Sequence, residues 1–283
     1  MKSEKRAQGR LKGQTGKAKK ALGQHFLVDR NVLGRIIAAA DIAPNELVIE
    51  IGPGRGILTS ALLERDCFVK AVELDDTLAK GLSEKFEEKT NLEVVTADAR
   101  HIPLECLVNK STPYKVVANL PYYAASPIIR RFLEAEYKPS AMVVLVQKEV
   151  AENMTASPGK MGLLSVATQL YGNPHIIASI PPSAFKPPPK VTSALVRIDL
   201  YSKPLLRLSS VDSFFELVRA GFSSPRKQIH NCLGHALPLS PETVTNVLQS
   251  AHIDALRRPG TLTVEEWGRL HIEWKSLEST PSG

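Results

Sequence analysis

The sequence predicts an α/β protein with a parallel sheet, followed by a smaller all-helical region. Short apolar runs alternate with helical periodicity over residues 29–200, the spacing typical of a parallel sheet with crossover helices. Beyond Tyr201-Ser-Lys-Pro204 the strand pattern stops and only helical patterns follow. We therefore expect a domain boundary near 201–210, with one domain at 21–203 and a second at 208–283.

Each element has its own signal. Asp29 is a suitable N-cap for a helix that runs to Ala40, before Pro44-Asn45 breaks it. Short runs rich in Val and Ile predict strands at 47–51, 68–72, 91–95, 114–118 and 141–146. The segments between them predict helices at 57–65, 76–89 and 126–135. A helix at 163–170 precedes strands at 175–180 and 193–200, which flank the proline-rich loop 181–190. The last helices are predicted at 214–222, 227–233, 241–249 and 264–275, with Ser240 and Thr263 as N-caps.

The net charge of +7 is concentrated at the N-terminus. Residues 1–20 contain eight of the 36 basic residues and one of the 29 acidic ones, which leaves 28 of each in the rest of the chain. Such a tail is expected to be disordered and to bind a polyanion, nucleic acid being favoured over a purely solubilising role.

Two compositional features indicate a cytoplasmic protein. No apolar run approaches the length of a membrane span, and no apolar segment follows the charged N-terminus as in a secretory signal. The three cysteines are scattered without a C-x-x-C pair, which argues for a reducing compartment and against a structural zinc site.

A glycine-rich turn, Gly52-Pro-Gly-Arg-Gly56, follows the first predicted sheet strand. Its G-x-G-x-G spacing differs from the dinucleotide pattern, and Glu50 lies two residues before it. An acid there suits a cationic ligand, so the motif favours S-adenosylmethionine over NAD. Glu73 ends the second sheet strand, where such folds bind both ribose hydroxyls, and Asp98 ends the third, where it can accept from an adenine amine. We predict one cofactor site from the three acids.

Asn119-Leu120-Pro121-Tyr122 comes at the end of the next strand. On its own it could be a plain strand-to-helix turn. With the acids it suggests chemistry on an exocyclic amine: the Asn119 side-chain oxygen and the Leu120 carbonyl accept its N–H groups, Pro121 fixes the turn, and Tyr122 stacks on an extruded base.

The combination of segments resembles the dimethyladenosine transferases of the KsgA family over roughly residues 20–275. The matching segments are Leu22-Gly-Gln-His-Phe-Leu27, Glu50-Ile-Gly-Pro-Gly54, Glu73-Leu-Asp75, Asn119-Leu-Pro-Tyr-Tyr123, Gln147-Lys-Glu149, Phe185-Lys-Pro-Pro-Pro-Lys-Val-Thr-Ser193, Arg226-Lys227 and Arg258-Pro-Gly-Thr-Leu262.

The resemblance implies a Rossmann-like class I methyltransferase sheet with helices on both faces and a small helical C-terminal domain that binds rRNA. It implies transfer of methyl groups from S-adenosylmethionine, without a metal, to two adjacent adenines in the 3′-terminal hairpin loop of small-subunit rRNA, within a late assembly intermediate. The protein is expected to be a monomer. The site residues carried over are His25 and Leu27 against the cofactor, Gly52 at its methionine end, Glu73 at its ribose, Asp98 at its adenine, Asn119 bridging to the target, and Phe185 sandwiching the base with Tyr122.

Three positions depart from that pattern. His25 stands where many members have Asn, Asn153 stands where Arg is expected, and Pro225 replaces a basic residue. Phosphate contacts are predicted for Lys186 and Lys190, and at lower weight for Arg226-Lys227 and Arg257-Arg258. His230 and His235 are expected to have packing or surface roles.

Two other functions remain open. A non-catalytic assembly factor for the small subunit would need only the basic tail and the helical domain. An Erm-type enzyme would use the same chemistry on large-subunit rRNA, although Phe185-Lys-Pro-Pro-Pro-Lys-Val191 and 258–262 favour the small-subunit family. A DNA adenine methyltransferase is disfavoured because NLPY replaces the usual N/D-P-P-Y.

Overall fold

A computed structural model of the 283-residue chain describes residues 24–110 and 112–278. The basic tail predicted at 1–20 lies outside these residues. In the part of the chain so described, no helix has both the length and the apolar character that crossing a membrane requires.

A seven-stranded sheet forms the centre of the molecule, with the strand order β4-β3-β2-β5-β6-β9-β7. Strands β2 to β6 are parallel, whereas β9 pairs antiparallel with both β6 and β7. The strands are β1 (Phe26–Leu27), β2 (Leu47–Ile51), β3 (Phe68–Glu73), β4 (Leu92–Thr96), β5 (Tyr114–Asn119), β6 (Ala141–Gln147), β7 (Gly172–Ile180), β8 (Phe185–Lys186) and β9 (Ser193–Leu200). The strand order reverses between β2 and β5, which opens a crevice at their carboxyl ends.

Ten α-helices of the described chain surround the sheet and extend beyond it. They are α1 (Arg30–Ala40), α2 (Ile57–Leu63), α3 (Asp76–Lys85), α4 (Ala125–Leu133), α5 (Lys148–Met154), α6 (Leu163–Tyr171), α7 (Val211–Gly221), α8 (Ile229–Ala236), α9 (Pro241–Ser250) and α10 (Val264–Glu278).

Alternation along the buried strands explains why helices cover both faces of the sheet. Val48 and Val117 pack in a cluster with apolar residues of α1 and α2, whereas their neighbours Ile49 and Val116 pack in a second cluster with α4 and α6. Successive strand side chains point to opposite faces, so strands that are apolar throughout need cover on both sides. The second cluster continues into α7–α10, so the C-terminal helices share one core with that face. The predicted fold class is confirmed.

The predicted caps are also confirmed, because polar side chains satisfy free N–H groups at the first helical turns. Asp29 accepts from the Asn31 N–H at 2.8 Å, and Ser240 accepts from the Thr243 N–H at 3.1 Å. Thr263 and Glu266 form a reciprocal capping box, with N–H···O distances of 3.2 and 2.8 Å.

Two features of the architecture were not predicted. β7 and β9 form an antiparallel pair, so only β2–β6 follow the parallel pattern. β1 and β8 form a two-residue ribbon in which Leu27 pairs with Phe185. A strand of two residues is too short to show a hydrophobic periodicity in the sequence. The ribbon forms only because the fold brings two distant segments together. The ribbon joins the segment before α1 to the proline-rich loop, beside the carboxyl ends of the strands.

Gly56 is the position in the turn after β2 at which a side chain would be tolerated least. Its φ of +73° lies in the left-handed region, and a Cβ there would lie 2.5 Å from Leu82 Cδ1 and 2.9 Å from Phe86 Cε2. The turn that opens α2 is therefore packed directly on α3.

We predict that Gly56→Ala lowers the free energy of unfolding by about 2–4 kcal/mol, because left-handed strain and overpacking add. Gly81→Ala in α3 is the control: a Cβ at that position would have no neighbouring atom within 4 Å, and we expect a gain of about 0.5–1 kcal/mol. Urea denaturation measures both, and similar midpoints for the two variants would contradict this close packing.

Candidate active site

A cleft of about 1050 Å³, counting its open mouth, lies at the carboxyl ends of the parallel strands. Ten of the eleven residues predicted for the cofactor and the target base line it: His25, Leu27, Glu50, Gly52, Glu73, Asp98, Asn119, Leu120, Pro121 and Tyr122. Because parallel strands present their carboxyl ends at one edge of the sheet, Gly52 and Tyr122 meet there although they are distant in the chain. His25 and Leu27 come from the segment of the β1–β8 ribbon.

Glu73, the last residue of β3, is held by the glycine turn. One carboxylate oxygen accepts the Gly54 N–H at 3.0 Å, and the other accepts the Asp75 N–H at 2.9 Å. Burial raises the pKa of Glu73, although these N–H groups favour the ionised form. Each oxygen retains a lone pair, so this carboxylate can accept from two neighbouring hydroxyl groups.

Glu50 is the most deeply buried acid in the cleft, with 1 % of its surface exposed. Neither carboxylate oxygen has a hydrogen-bond partner within the described residues. Burial raises the pKa of Glu50 to about 8; the nearby Thr59 hydroxyl offsets part of this rise and the Glu73 charge adds to it. A buried carboxyl without a partner fits a cationic ligand, so the cleft suits the sulfonium and ammonium groups of S-adenosylmethionine.

Asp98, after β4, is in a different environment. Arg100 donates to its carboxylate from Nε, from Nη2 at 2.6 Å and from the backbone N–H, and His101 Nδ1 lies 3.3 Å away. The Arg100 hydrogen bonds, more than any other group, hold the pKa of Asp98 well below its usual range, against a partial desolvation. This acid is therefore ionised at any physiological pH.

Asn119, at the end of β5, has a defined side-chain orientation. Its Nδ2 donates to the His25 carbonyl at 3.0 Å. A carbonyl can only accept, so the amide nitrogen must face His25 and Oδ1 is left as the acceptor for a ligand. This hydrogen bond also ties the turn after β5 to the segment that contains β1.

Tyr122 is anchored at its hydroxyl and open at its ring. Its Oη lies 2.6 Å from Ser193 Oγ, at the buried start of β9. Partial burial raises the pKa of Tyr122, with the Ser193 contact acting in the opposite sense. The centre of the His25 ring lies 5.6 Å from the centre of the Tyr122 ring, and the two rings are tilted by 32°. The Nδ1 atom of His25 lies 2.8 Å from the Pro187 carbonyl oxygen.

Phe185 is the one predicted site residue that does not line the cleft. Its ring is 3 % exposed and packs in the cluster that contains Leu27, Ile180 and Leu195. Pairing of β8 with β1 directs this side chain into the core. Its predicted role in sandwiching a base stays a prediction, and the aromatic neighbour of Tyr122 in the structure is His25.

Several residues of the cleft wall were given no role by the sequence interpretation, among them Phe26, Arg100 and Tyr123. Tyr123 is 49 % exposed, and the Arg100 guanidinium carbon lies 5.6 Å from its ring centre. Arg100 follows a predicted acid by two residues, a spacing that could have suggested an ion pair. Phe26 lies between two predicted contacts and carried no separate signal.

The basic residues predicted to bind phosphate separate into two groups. Lys186, Lys190, Arg226, Lys227 and Arg258 are exposed. Arg257 instead makes a two-point ion pair with Glu266, at 2.6 and 3.0 Å, and donates to the Thr261 carbonyl at 2.6 Å.

The two histidines of the helical region have ordinary surroundings. His230 Nδ1 lies 2.7 Å from the Ala255 carbonyl, and His235 is exposed. Across residues 24–110 and 112–278, no group of three or more His, Cys, Asp or Glu side chains is arranged to hold a metal ion.

Comparisons with known proteins agree with this geometry. A family model described as ribosomal RNA adenine dimethylase matches residues 15–270. Ribosomal RNA small subunit methyltransferase A of Dehalococcoides mccartyi strain BAV1 is 46 % identical over 264 residues, which cover 93 % of this chain and 91 % of the relative.

Two solved structures are also similar. A dimethyladenosine transferase from Plasmodium falciparum has a TM-score of 0.76 and 26 % identity, covering 89 % of this chain and 98 % of its own. The 23S rRNA methyltransferase ErmE has a TM-score of 0.69 and 30 % identity, covering 88 % of this chain and 99 % of its own.

The raised pKa of Glu50 predicts that ligand affinity depends on pH. Below about pH 8 the free protein holds this carboxyl protonated, and a cation favours the ionised form. Affinity for S-adenosylmethionine should therefore rise with pH up to about 8, with release of a proton on binding. Because the pKa of Glu50 is higher in the folded than in the unfolded protein, this residue progressively lowers the free energy of unfolding as the pH rises from its unfolded pKa to about 8.

Isothermal titration between pH 6 and 9, in buffers of different ionisation heat, measures both the affinity and the proton released. Glu50→Gln keeps the shape of the side chain and should bind more weakly with no proton release from this position. The expectation fails if the variant and the wild type show the same pH dependence.

Proposed function

The chain belongs to the ribosomal RNA adenine dimethylase family, and from that membership we propose that it dimethylates two adjacent adenines of small-subunit rRNA. It is an S-adenosylmethionine-dependent rRNA methyltransferase, and the methyl donor is a substrate that leaves as S-adenosylhomocysteine. The target we propose is the 3′-terminal hairpin loop, modified on a nearly assembled small subunit.

One observation carries this proposal. Glu50, Glu73, Asp98 and Asn119 come from the ends of four adjacent strands and line a single cleft. Taken in the order of the chain, they provide acceptors for a cation, for two hydroxyl groups, for an adenine amine and for a target amine. Glu50 and Asn119 flank the point at which the strand order reverses, so the methyl group and its acceptor meet at the crevice.

The residues of the catalytic turn have distinct roles in this proposal. Asn119 Oδ1 and the Leu120 carbonyl accept the two N–H groups of the target N6, which orients its lone pair toward the methyl carbon. The N6–C bond forms as the S–C bond breaks, and the extra proton on N6 passes to solvent. Pro121, with a φ of −63°, fixes the turn, and Tyr122 stacks on the extruded base.

The second transfer sets a further requirement on the same turn. After the first methyl group has been added, N6 has a single N–H, so only one of the two carbonyl-type acceptors is used. Stacking on Tyr122, whose hydroxyl is held by Ser193, then contributes a larger share of the positioning.

The relatives support a small-subunit substrate. The Dehalococcoides relative is 46 % identical and is a small-subunit enzyme by name, whereas ErmE, a 23S rRNA enzyme, is 30 % identical. An Erm-type substrate is therefore not favoured. Binding without catalysis would not require acceptors at four successive strand ends, although an assembly role can accompany the chemistry.

We also propose how the chain is divided and where it acts. Residues 21–203 would form the methyltransferase domain and residues 208–283 a helical rRNA-binding domain, and the protein would act as a monomer in the cytoplasm. The tail at 1–20, with its eight basic residues, would add sequence-independent affinity for rRNA.

A basic surface on the helical region supports that division. Arg226 and Lys227 are exposed just before α8, and the Ile229 N–H donates to the Arg257 carbonyl at 2.7 Å. This hydrogen bond holds the start of α8 beside the loop that contains the exposed Arg258. We propose that Arg226, Lys227 and Arg258 contact phosphates, whereas Arg257 holds the loop in place through Glu266.

The proposed activity is tested by incubating the protein and labelled S-adenosylmethionine with undermethylated small subunits and, in parallel, with large subunits. Mass spectrometry of the digested rRNA should find N6,N6-dimethyladenine in the small subunit alone. Folded protein that leaves the small subunit unmodified, or that modifies the large one instead, would refute the assignment.

Single-turnover assays separate the roles within the turn. Tyr122→Ala should weaken capture of the base by about 10- to 100-fold, since base–aromatic stacking contributes about 1–3 kcal/mol. Asn119→Ala should mainly slow transfer, by about 10²- to 10³-fold, because it removes an acceptor aimed at the reacting amine. Tyr122→Phe, which retains the ring, is the matched control. Equal, mild effects of both alanine variants on both steps would contradict this division of roles.

The two groups of basic residues should respond differently to substitution. Replacing both Arg226 and Lys227 by Ala should weaken subunit binding and reduce the salt slope of log K by about 2, one for each phosphate contact. Arg257→Gln should lower the melting temperature and leave that slope unchanged. Filter binding over a salt series measures the slope; a double variant with the wild-type slope would count against this surface.

A further inference from the structure

The proposed function assigns the adenine amine of the methyl donor to Asp98. In the free protein, however, every hydrogen-bond acceptor position of the Asp98 carboxylate is already occupied. A carboxylate offers about four lone-pair directions. Arg100 occupies three of them, through its backbone N–H, Nε and Nη2, and His101 lies at a fourth. An adenine amine can therefore reach Asp98 only by displacing one of these donors.

The position of each donor indicates which one is displaced. Arg100 lines the cleft, whereas His101 does not and its side chain is 75 % exposed on the outside. The backbone N–H of Arg100 is fixed by the turn that follows β4. The Arg100 side chain is thus the hydrogen-bonding group that a ligand entering from the cleft would have to displace from Asp98.

A displaced guanidinium would remain at the mouth of the cleft. Its carbon is already 5.6 Å from the ring centre of Tyr123, which is 49 % exposed and adjacent to the stacking Tyr122. A guanidinium beside an aromatic ring keeps a cation–π contact when its ion pair is broken. The charge that Asp98 neutralises in the free protein would then be available where the RNA backbone enters.

We infer that Arg100 exchanges Asp98 for an RNA phosphate when the methyl donor binds, so that donor occupancy raises the affinity for RNA. This inference rests on the proposed function, since it assumes that the donor adenine uses Asp98. It makes Arg100 a coupling residue between the two substrates and favours binding of the donor before the RNA. By linkage, RNA raises the affinity for the donor by the same factor.

The exchange is tested by binding the wild-type protein to undermethylated small subunits with and without saturating S-adenosylhomocysteine, which occupies the donor site without turnover. We expect subunit affinity to rise about fivefold or more when the site is filled. In Arg100→Met, which keeps the unbranched stem of the side chain but cannot donate a hydrogen bond, the ratio should fall to within twofold of one. Affinity of that variant for S-adenosylhomocysteine alone should be unchanged or higher, because a competitor for Asp98 has been removed.

Two further variants keep the result interpretable. Arg65→Met changes an exposed arginine near the start of β3, at the opposite edge of the sheet, and should retain the wild-type ratio. Arg100→Lys retains the charge without the two-point geometry and should keep part of the coupling, even if Arg100→Met were to lose stability. A wild-type ratio near one, or coupling that survives in Arg100→Met, overturns the inference.

A fall of more than threefold in S-adenosylhomocysteine affinity in both Arg100 variants would also overturn it, because Arg100 would then support Asp98 and not compete for it. The proposed function is judged separately, by whether the wild-type protein forms dimethyladenine on the same subunits. Dimethyladenine without coupling would refute only the exchange.

Discussion

The parallel pairing of β2 with β5 is the constraint on which the rest of the site depends. It places the turn after β2 against the turn after β5 so closely that a Cβ on Gly52, whose φ is +69°, would lie 3.6 Å from the Asn119 carbonyl oxygen. The pocket proposed for the methyl donor and the turn proposed to be catalytic therefore share a wall made of backbone. A reaction that needs a methyl carbon in contact with its nucleophile benefits from such proximity, because the geometry is set by the sheet and costs no further ordering at the moment of reaction.

The three acids of the cleft have different pKa shifts because their surroundings differ. Glu50 is buried without a partner among the described residues, and its pKa is raised to about 8. The pKa of Glu73 is also raised by burial, but two backbone N–H groups support its ionised form. The pKa of Asp98 is lowered by an arginine. In the proposed function these environments meet different parts of the methyl donor: Glu50 meets a cation, Glu73 a pair of hydroxyl groups, and Asp98 an amine once the Arg100 side chain has moved away. The cleft is thus selective through solvation and hydrogen bonding as well as through shape.

Much of this arrangement could be predicted from the sequence, because it depends on local chemistry. The periodicity of the β2–β6 segments, the caps at Asp29 and Ser240, and the acids at successive strand ends are all local signals, and the structure brings them together as expected. The features that were missed depend on tertiary pairing. The β1–β8 ribbon buries Phe185, and the Tyr122–Ser193 bond joins residues 71 positions apart. No periodicity or propensity records such contacts; only the assembled sheet determines which distant segments become neighbours.

An enzyme of this kind must bind a cation and a polyanion side by side, and the distribution of charge shows how it can. An ionised carboxylate exposed at the cleft mouth would repel an approaching phosphate, by about 1 kcal/mol at 4 Å even in bulk water and by more at a protein surface. Glu50 and Glu73 are removed from that surface by burial, and Asp98 is neutralised by Arg100. The exposed lysines at 186 and 190, by contrast, lie on the proline-rich loop that His25 joins to the cleft. The two most deeply buried acids of the cleft are therefore shielded from a phosphate, whereas the two exposed lysines lie on a loop that is joined to the cleft. The His25 contacts to Asn119 and Pro187 keep these two regions in fixed register. A change in the β1–β8 ribbon would consequently affect donor binding and RNA binding together, although the ribbon contributes no reacting group.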